Sequence, residues 1–486
     1  MRFKKTYLLN LLLFTVLFIV IVISCRKNKN ENTSQATDSY FDIKTDLEQI
    51  KERGKLIALT DNSSTSYFIY KGQPMGYEYD LLRLFAKHIG VDLEIIVVKN
   101  MDDIIELLNN GKGDVIAANL TVTQERAKEI NFTEHNILTR QMLVQRKPDG
   151  WEKMKYYDEI DKKLVRNQID LIGKEIFVRK NSSFYSRLKN LSDEIGGEIS
   201  IIEAPGDYET EYLIKLVANG EIEYTIADEN VALVNQTYYP NIDAKTAISF
   251  PQKIAWAVNK ESPELLKEIN EWIRSIRNKN KYIAMYNKYF KNHKVQKQRI
   301  ESGYFSQLGG NISRYDHIIK VYCKELDWDW RLVASLIYQE SRFDPKAESW
   351  AGAFGLMQLM PETANNYGVD SLSTDAQNVY AGTKYLCWLD DYWDEMIMDK
   401  DERVKFVLAS YNVGPGHVID ARNLAIKYNK NPNVWDDNVA FFILQKSREK
   451  YYNDEVVKHG YCRGEEPYKY VKEILDRYQH YKNVNI

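Results

Sequence analysis

The sequence predicts a chain of two unlike halves, an α/β half followed by an all-α half, and three observations carry that division. Between about residues 46 and 292, short β-branched runs alternate with helical patterns, the rhythm of a largely parallel sheet faced by helices. From about residue 312 onward the strand signals stop and long helical patterns replace them. The length of 486 residues suits two to four domains at roughly 100–200 residues each. Hydrophobic residues at 44% and charged residues at 28% exclude a chain disordered throughout, a collagen-like repeat and a multi-span membrane protein. Lys and Arg number 66 against 69 Asp and Glu, so no basic excess exists to neutralise a phosphate backbone, and nucleic acid is not an expected partner.

At the N-terminus, Arg2, Lys4 and Lys5 precede an apolar run from Leu8 to Ile23 that is short for a membrane span. A basic start followed by a short apolar stretch reads as an export signal over residues 1–24. It ends in Val22-Ile-Ser-Cys25, which resembles the bacterial lipoprotein cleavage box. That resemblance implies lipidation of Cys25 and a lipid-anchored place in the cell envelope, at the outer membrane facing the periplasm. Residues 25–45 are polar and lack the apolar surface to fold, so a flexible tether is expected. Cys323, Cys387 and Cys462 are odd in number and in no CxxC spacing, so neither a full disulfide framework nor a zinc site is expected.

In the α/β half, Lys55–Thr60, Val91–Val98, Asp114–Asn119, Glu175–Arg179, Ile199–Glu203 and Lys253–Val258 carry strand signals. Tyr79–Ile89, stopped by Gly90, and Met101–Asn109 carry helical spacing, and Tyr212–Ala218 and Glu223–Ala227 continue the alternation. Three blocks stand in order: Gly76-Tyr-Glu-Tyr-Asp80, Gly113-Asp-Val115, and Thr121-Val-Thr-Gln-Glu-Arg126 with Asn131-Phe-Thr133. Together they resemble the periplasmic amino-acid-binding protein family, whose bilobed folds close on small ligands. The resemblance implies lobe 1 over about 46–143 and 252–292, and lobe 2 over about 144–251. It also implies that Thr121 and Arg126 hold a ligand carboxylate and Asp228 the ligand's amino group, with Tyr67 or Tyr70 as an aromatic wall. The chemistry suits the residues, since a guanidinium presents a planar fork to a carboxylate and a Thr hydroxyl adds a donor. An amino acid or a muropeptide is the expected ligand. Residues 293–311, basic and then Gly-ended, read as a hinge.

In residues 312–486, helical patterns cover Arg314–Glu325, Trp330–Ser341, Thr374–Asp391, Glu402–Tyr411 and Tyr468–Tyr478. Glu340 ends an apolar helix carrying Leu332, Val333, Leu336 and Ile337, so it projects from a hydrophobic wall. A carboxyl there loses solvation as an anion, its pKa rises, and it keeps its proton near neutral pH, as a general acid for a glycosidic oxygen must. Glycosidases commonly use two carboxylates. Asp344, Glu348 and Glu362 are near in sequence, but Pro345 ends the helix before Asp344 shares its face.

Ser335–Pro345 with Glu340-Ser341, Ala351–Pro361 with Gly355-Leu-Met-Gln358, and Ser410-Tyr-Asn-Val-Gly414 resemble the family-1 lytic transglycosylases, with Tyr470-Val471 a further match. The resemblance covers about residues 314–480 and implies a lysozyme-like fold and cleavage of the β-1,4 bond between N-acetylmuramic acid and N-acetylglucosamine. It implies that Glu340 serves as acid and then base, that the C6 hydroxyl of the muramic acid closes a 1,6-anhydro ring, and that no metal or other cofactor is needed. Ser341, Met357, Gln358, Tyr411, Asn412 and Tyr470 are the implied substrate-binding residues, and peptidoglycan is the implied partner. A lysozyme-type hydrolase, and a non-catalytic wall-binding amino-acid receptor, are the rival readings.

Overall fold

The computed structural model describes residues 45–154, 156–205, 208–302 and 311–484. The export signal and Cys25 lie outside the described residues, as does most of the tether. Two five-stranded sheets build the α/β half. The first runs β4 (Asp92–Val97), β1 (Lys55–Thr60), β5 (Val115–Ile116), β12 (Gln252–Val258), β6 (Asn131–Thr139). The second runs β11 (Ile242–Ala247), β7 (Gln141–Arg146), β10 (Tyr224–Asp228), β8 (Glu175–Val178), β9 (Ser200–Glu203).

β1 pairs parallel with β4 and β5, as the alternation with helices requires, while β12 enters antiparallel between β5 and β6. The chain crosses between sheets at Arg140 and returns between Ala247 and Gln252. There Gln141 Nε2 donates to Gln252 Oε1 (3.1 Å) and to Ser183 Oγ (3.1 Å), tying the two crossings together. Each sheet buries its own apolar set, Leu59, Ile116 and Ala257 in the first and Leu143, Ile176 and Ile226 in the second.

β2 (Phe68–Tyr70) and β3 (Gln73–Met75) form a hairpin that sequence periodicity passes over, because three-residue strands give no period to read. The described part of the expected hinge begins with a helix. Residues His293–Glu301 are a helix with Gln296 and Arg299 buried, the Arg299 guanidinium lying 5.2 Å from the Phe68 ring centre and 5.5 Å from that of Tyr289. Residues 303–310 lie outside the described residues.

The C-terminal half is helical, built around the helix Trp330–Ser341, which packs on Glu465–Lys482. Ser335 Oγ donates to the Ile474 carbonyl at 2.7 Å, and Arg477 reaches the Ser335 carbonyl at 3.1 Å and Gln339 Oε1 at 2.8 Å. Helices Pro415–Lys427 and Ala440–Gln445 were not marked by the sequence pattern; they meet at a buried Lys446–Asp420 pair 2.7 Å apart. Cys323, Cys387 and Cys462 are free thiols. Among the described residues no helix is long and apolar enough to cross a membrane.

The two halves pack into one body from Asp46 onward. The turn of the β2–β3 hairpin seats against the C-terminal half, and a Cβ on Gly72 would lie 2.6 Å from Tyr338, 2.8 Å from the Tyr481 hydroxyl and 2.9 Å from Phe343. With a φ of +73° as well, that position admits only glycine. Tyr481 Oη donates to the Gly72 carbonyl at 2.8 Å, Asn483 Nδ2 to the Ile95 carbonyl at 2.7 Å, and Lys472 pairs with Asp92 at 2.9 Å.

Candidate functional site

The helix Trp330–Ser341 starts on Asp329, whose carboxylate accepts from the Arg331 N–H, and buries Leu332, Val333, Leu336 and Ile337 along one side. It stops after Ser341, where Arg342 and Phe343 both take positive φ and turn the chain away. Glu340 is thereby held part-buried at the helix end, where the Tyr470 hydroxyl donates to its Oε1. Burial raises its carboxyl to about 7, with the Tyr470 hydrogen bond opposing the shift and Glu466 adding to it. Tyr470 and Tyr411 are pushed well above the usual phenol range by burial first and by the nearby Glu340 charge second, so both stay protonated donors. Asp344, Glu348 and Glu362 are exposed, which leaves Glu340 as the carboxyl in the apolar wall.

The segment Gly355-Leu-Met-Gln358 is fixed opposite by three helices. Ser341 Oγ bonds to the Leu356 carbonyl at 2.7 Å, Tyr411 Oη donates to the Met357 carbonyl at 2.7 Å, and Asn378 Oδ1 accepts from the Met357 N–H at 2.9 Å. Asn378 Nδ2 donates to the Phe354 carbonyl at 3.2 Å. The sequence gives no sign of Asn378, because an Asn inside a helical pattern has no local mark of such a role. Gly355 combines a φ of +79° with direct approach of the Asn378 amide to where a Cβ would stand. Gly355→Ala is therefore expected to cost about 1–3 kcal/mol through overpacking and backbone strain. Chemical denaturation of the variant measures it, and an unchanged midpoint would refute the fit.

The predicted substrate-binding residues divide. Tyr470 meets Glu340 directly, Tyr411 lies close enough to feel the charge of the same carboxyl, and Asn412 follows it, part-exposed, near the end of helix Lys400–Val413. Ser341 is buried, and its hydroxyl lies within hydrogen-bond distance of the Ile337 carbonyl of its own helix and of the Leu356 carbonyl of the loop. The Met357 side chain is fully buried against Gly382, leaving only its backbone near Tyr411. Gln358 Nε2 donates to the Ala347 carbonyl at 2.8 Å and the Gly355 carbonyl at 2.9 Å, so Oε1 is the part of this amide left to meet substrate.

A second site lies between the lobes of the α/β half. A cavity of about 280 Å³ is lined by Thr121, Arg126 and Asp228 together with Asp61, Arg179, Glu209, Glu211 and Phe184. Asp228 is fully enclosed; Asn119 Nδ2 donates to its Oδ2 at 3.0 Å, while Oδ1 has no hydrogen-bond partner among the described residues. Burial raises Asp228 to about 7 despite Asn119 and Arg126, and burial lowers Arg126 to about 10, with Arg179 pushing the same way. Arg126 Nη1 donates to the Thr121 carbonyl at 3.0 Å, which orients the fork.

Tyr67 and Tyr70, expected as an aromatic wall, do not line this cavity. Tyr67 is fully buried outside this cavity, its hydroxyl hydrogen-bonded with His480 Nδ1 at 2.9 Å in the catalytic half, and Tyr70 belongs to the hairpin. The aromatic residues that do line the cavity are Phe184, Tyr212, Tyr238 and Tyr239. Glu209 and Glu211 also went unmarked; Glu211 crosses the cleft to accept from the Ser64 hydroxyl and N–H, a pairing set by tertiary contact alone.

The chain matches the family of bacterial extracellular solute-binding proteins, family 3, over residues 56–292 and the transglycosylase SLT domain over residues 318–434. Membrane-bound lytic murein transglycosylase F of Desulfosudis oleivorans is 34% identical over 442 residues, covering 90% of this chain and 93% of the relative. The protein of that name from Saccharophagus degradans is 33% identical over 434 residues, covering 89% and 83%. Among solved structures, a mutant of the arginine-binding protein of T. maritima is 23% identical with a TM-score of 0.42, covering 51% of this chain and 99% of that chain. An identity above 30% that runs through both halves, with Glu340 and the interlobe cavity each inside a matched region, places the chain in the membrane-bound lytic murein transglycosylase F family.

Proposed function

We propose that this protein is a peptidoglycan lytic transglycosylase in which Glu340 alone serves as acid and then base, under the influence of a zwitterionic ligand bound in the α/β half. The observation that carries the catalytic reading is the Glu340 carboxyl itself, raised to about 7 by burial in an apolar wall with Tyr470 as its donor. Protonated Glu340 gives its proton to the bridging oxygen as the C1–O bond breaks, and the substrate's own N-acetyl oxygen stabilises the charge at C1. The resulting carboxylate then takes the proton of the C6 hydroxyl as that oxygen bonds to C1, so no water is consumed and Glu340 ends protonated again. An attacking group in the same molecule gains effective molarity over water, which favours ring closure. The protein's place is the cell envelope, where this substrate lies; lipid on Cys25 and the outer membrane belong to the proposal.

The ligand reading rests on Arg126 and Asp228 facing one cavity, one side able to pair a carboxylate and the other an ammonium. An ammonium ligand would restore the charge that burial now disfavours on Asp228. Closure of the lobes reaches the catalytic half through lobe 1, whose hairpin touches Tyr338 and Phe343 on either side of Glu340. Calorimetry of the whole protein with free amino acids and stem peptides is expected to find a binder. Arg126→Ala and Asp228→Asn should each weaken it by at least 30-fold, the effect of about 2 kcal/mol or more for breaking a buried charge pair. Silence from every compound, or binding untouched by both substitutions, would remove the sensor.

A further inference from the structure

The helix Asp375–Asp394 is aromatic on two faces. Its inner face is complete without help from the outer one, since Leu386, Leu389 and Trp393 are fully buried and Trp393 Nε1 donates to Ser410 Oγ at 2.9 Å. On the outer face Tyr385, Trp388 and Tyr392 follow one another at helical spacing. The Tyr385 and Trp388 ring centres lie 5.8 Å apart with planes 11° from parallel, and those of Trp388 and Tyr392 lie 5.8 Å apart at 26°. Trp388 is 48% exposed and Tyr392 36%. Tyr385 is half-buried against the core and beside Tyr411, and Tyr392 also meets Trp393 edge-on, so Trp388 carries the most open ring of the row. An ordered row of stacked rings that opens to solvent at Trp388 and Tyr392 marks a surface that meets something.

The inner end of the row identifies what it meets. Tyr385 lies 5.4 Å, centre to centre, from Tyr411, and Tyr411 bonds to the Met357 carbonyl, next to the Leu356 carbonyl held by Ser341, the neighbour of Glu340 in the chain. The aromatic row therefore continues out of the catalytic site along a solvent-exposed helix face. We infer that Trp388 and Tyr392, leading out from Tyr385, form a stacking track for the glycan strand beyond the bond being cleaved, each exposed ring taking the apolar C–H face of one sugar. The occupant is the polysaccharide itself, because the track is continuous with the site that cuts it. Its inner end contributes to positioning, while its outer end at Trp388 and Tyr392 adds affinity that only a long strand can use. This inference rests on the lytic reading only for the identity of the polymer, and binding can be measured without turnover.

The test uses the full-length protein carrying Glu340→Gln, so that bound wall stays intact, and measures its partition onto insoluble peptidoglycan sacculi. Adding Trp388→Ala with Tyr392→Ala is expected to weaken sacculus binding about tenfold, with Trp388→Phe keeping most of it because the ring face remains. In the active protein, the double substitution should lower turnover of long strands about tenfold more than turnover of a single disaccharide-peptide dimer. Thermal melting checks that both variants fold. Sacculus binding equal to that of the parent protein, with long and short substrates affected alike, would overturn the track and leave the row as a docking face for another protein. An active-site failure is separable, since it would abolish turnover of both substrates while leaving the binding comparison readable.

Discussion

Replacing Glu340 by Gln is expected to lower the rate of peptidoglycan lysis by about 10²–10⁴-fold, the range that a positioned acid–base group contributes. The substitution removes the transferable proton and keeps the shape, and the amide oxygen can still accept from Tyr470. Asp344, Glu348, Glu362 and the neighbouring Glu466 are all exposed, so none of these carboxyls shares the apolar setting of Glu340. Stability should move the other way. A carboxyl raised from 4.5 to about 7 by folding binds its proton more tightly in the native state. The stability linked to that proton is present below pH 4.5 and is lost as pH rises through 7. The neutral amide escapes that loss, so E340Q should melt higher than the parent at pH 8 and differ little at pH 4. A binding protein without catalysis would keep the same lytic rate in both forms.

Tyr470→Phe carries the second large effect. Its hydroxyl donates to the Glu340 carboxylate and so opposes the upward shift that burial imposes. A hydrogen bond to a charged group contributes roughly 1.5–3 kcal/mol, and one pKa unit corresponds to 1.36 kcal/mol. Removal should thus raise the carboxyl by about one to two units. The first step needs protonated Glu340, so activity in the parent falls as pH rises above about 7, and in the variant that fall should move to higher pH. The first step also creates the carboxylate that Tyr470 stabilises, so the maximal rate should drop about tenfold or more. A pH–rate profile reads both. A slower enzyme whose alkaline limb stays in place would assign Tyr470 to packing alone.

What the sequence disclosed depended on how local each signal was. Glu340 was legible because an apolar helix, a following Pro345 and three ordered blocks all lie within short stretches of chain. The edge of the first sheet was not. Asn131–Thr139 mixes polar residues through a long strand, and its pairing with β12 is interrupted between Ile254 and Ala257, which blurs the period of two. Tyr67 illustrates the opposite error. An aromatic residue near the ligand blocks suggested a cavity wall, yet its partner is His480, more than four hundred residues away. Burial pushes that imidazole down to about 4, so it meets Tyr67 as a neutral ring. Asn378, Glu209 and Glu211 share this character, since each acts on a segment distant in sequence and none carries a local pattern. The aromatic row at Tyr385, Trp388 and Tyr392 has helical spacing, but spacing alone does not say which face of a helix is turned outward.

The mass of the new glycan ends tests the central claim most directly. Purified sacculi digested by the full-length protein should yield muramic acid ends that are one water lighter than a reducing sugar and take up no heavy oxygen from labelled water. Reducing ends carrying that label would show that water, and not the C6 hydroxyl, attacks C1, and would contradict the assignment of Glu340 as the base that closes the anhydro ring.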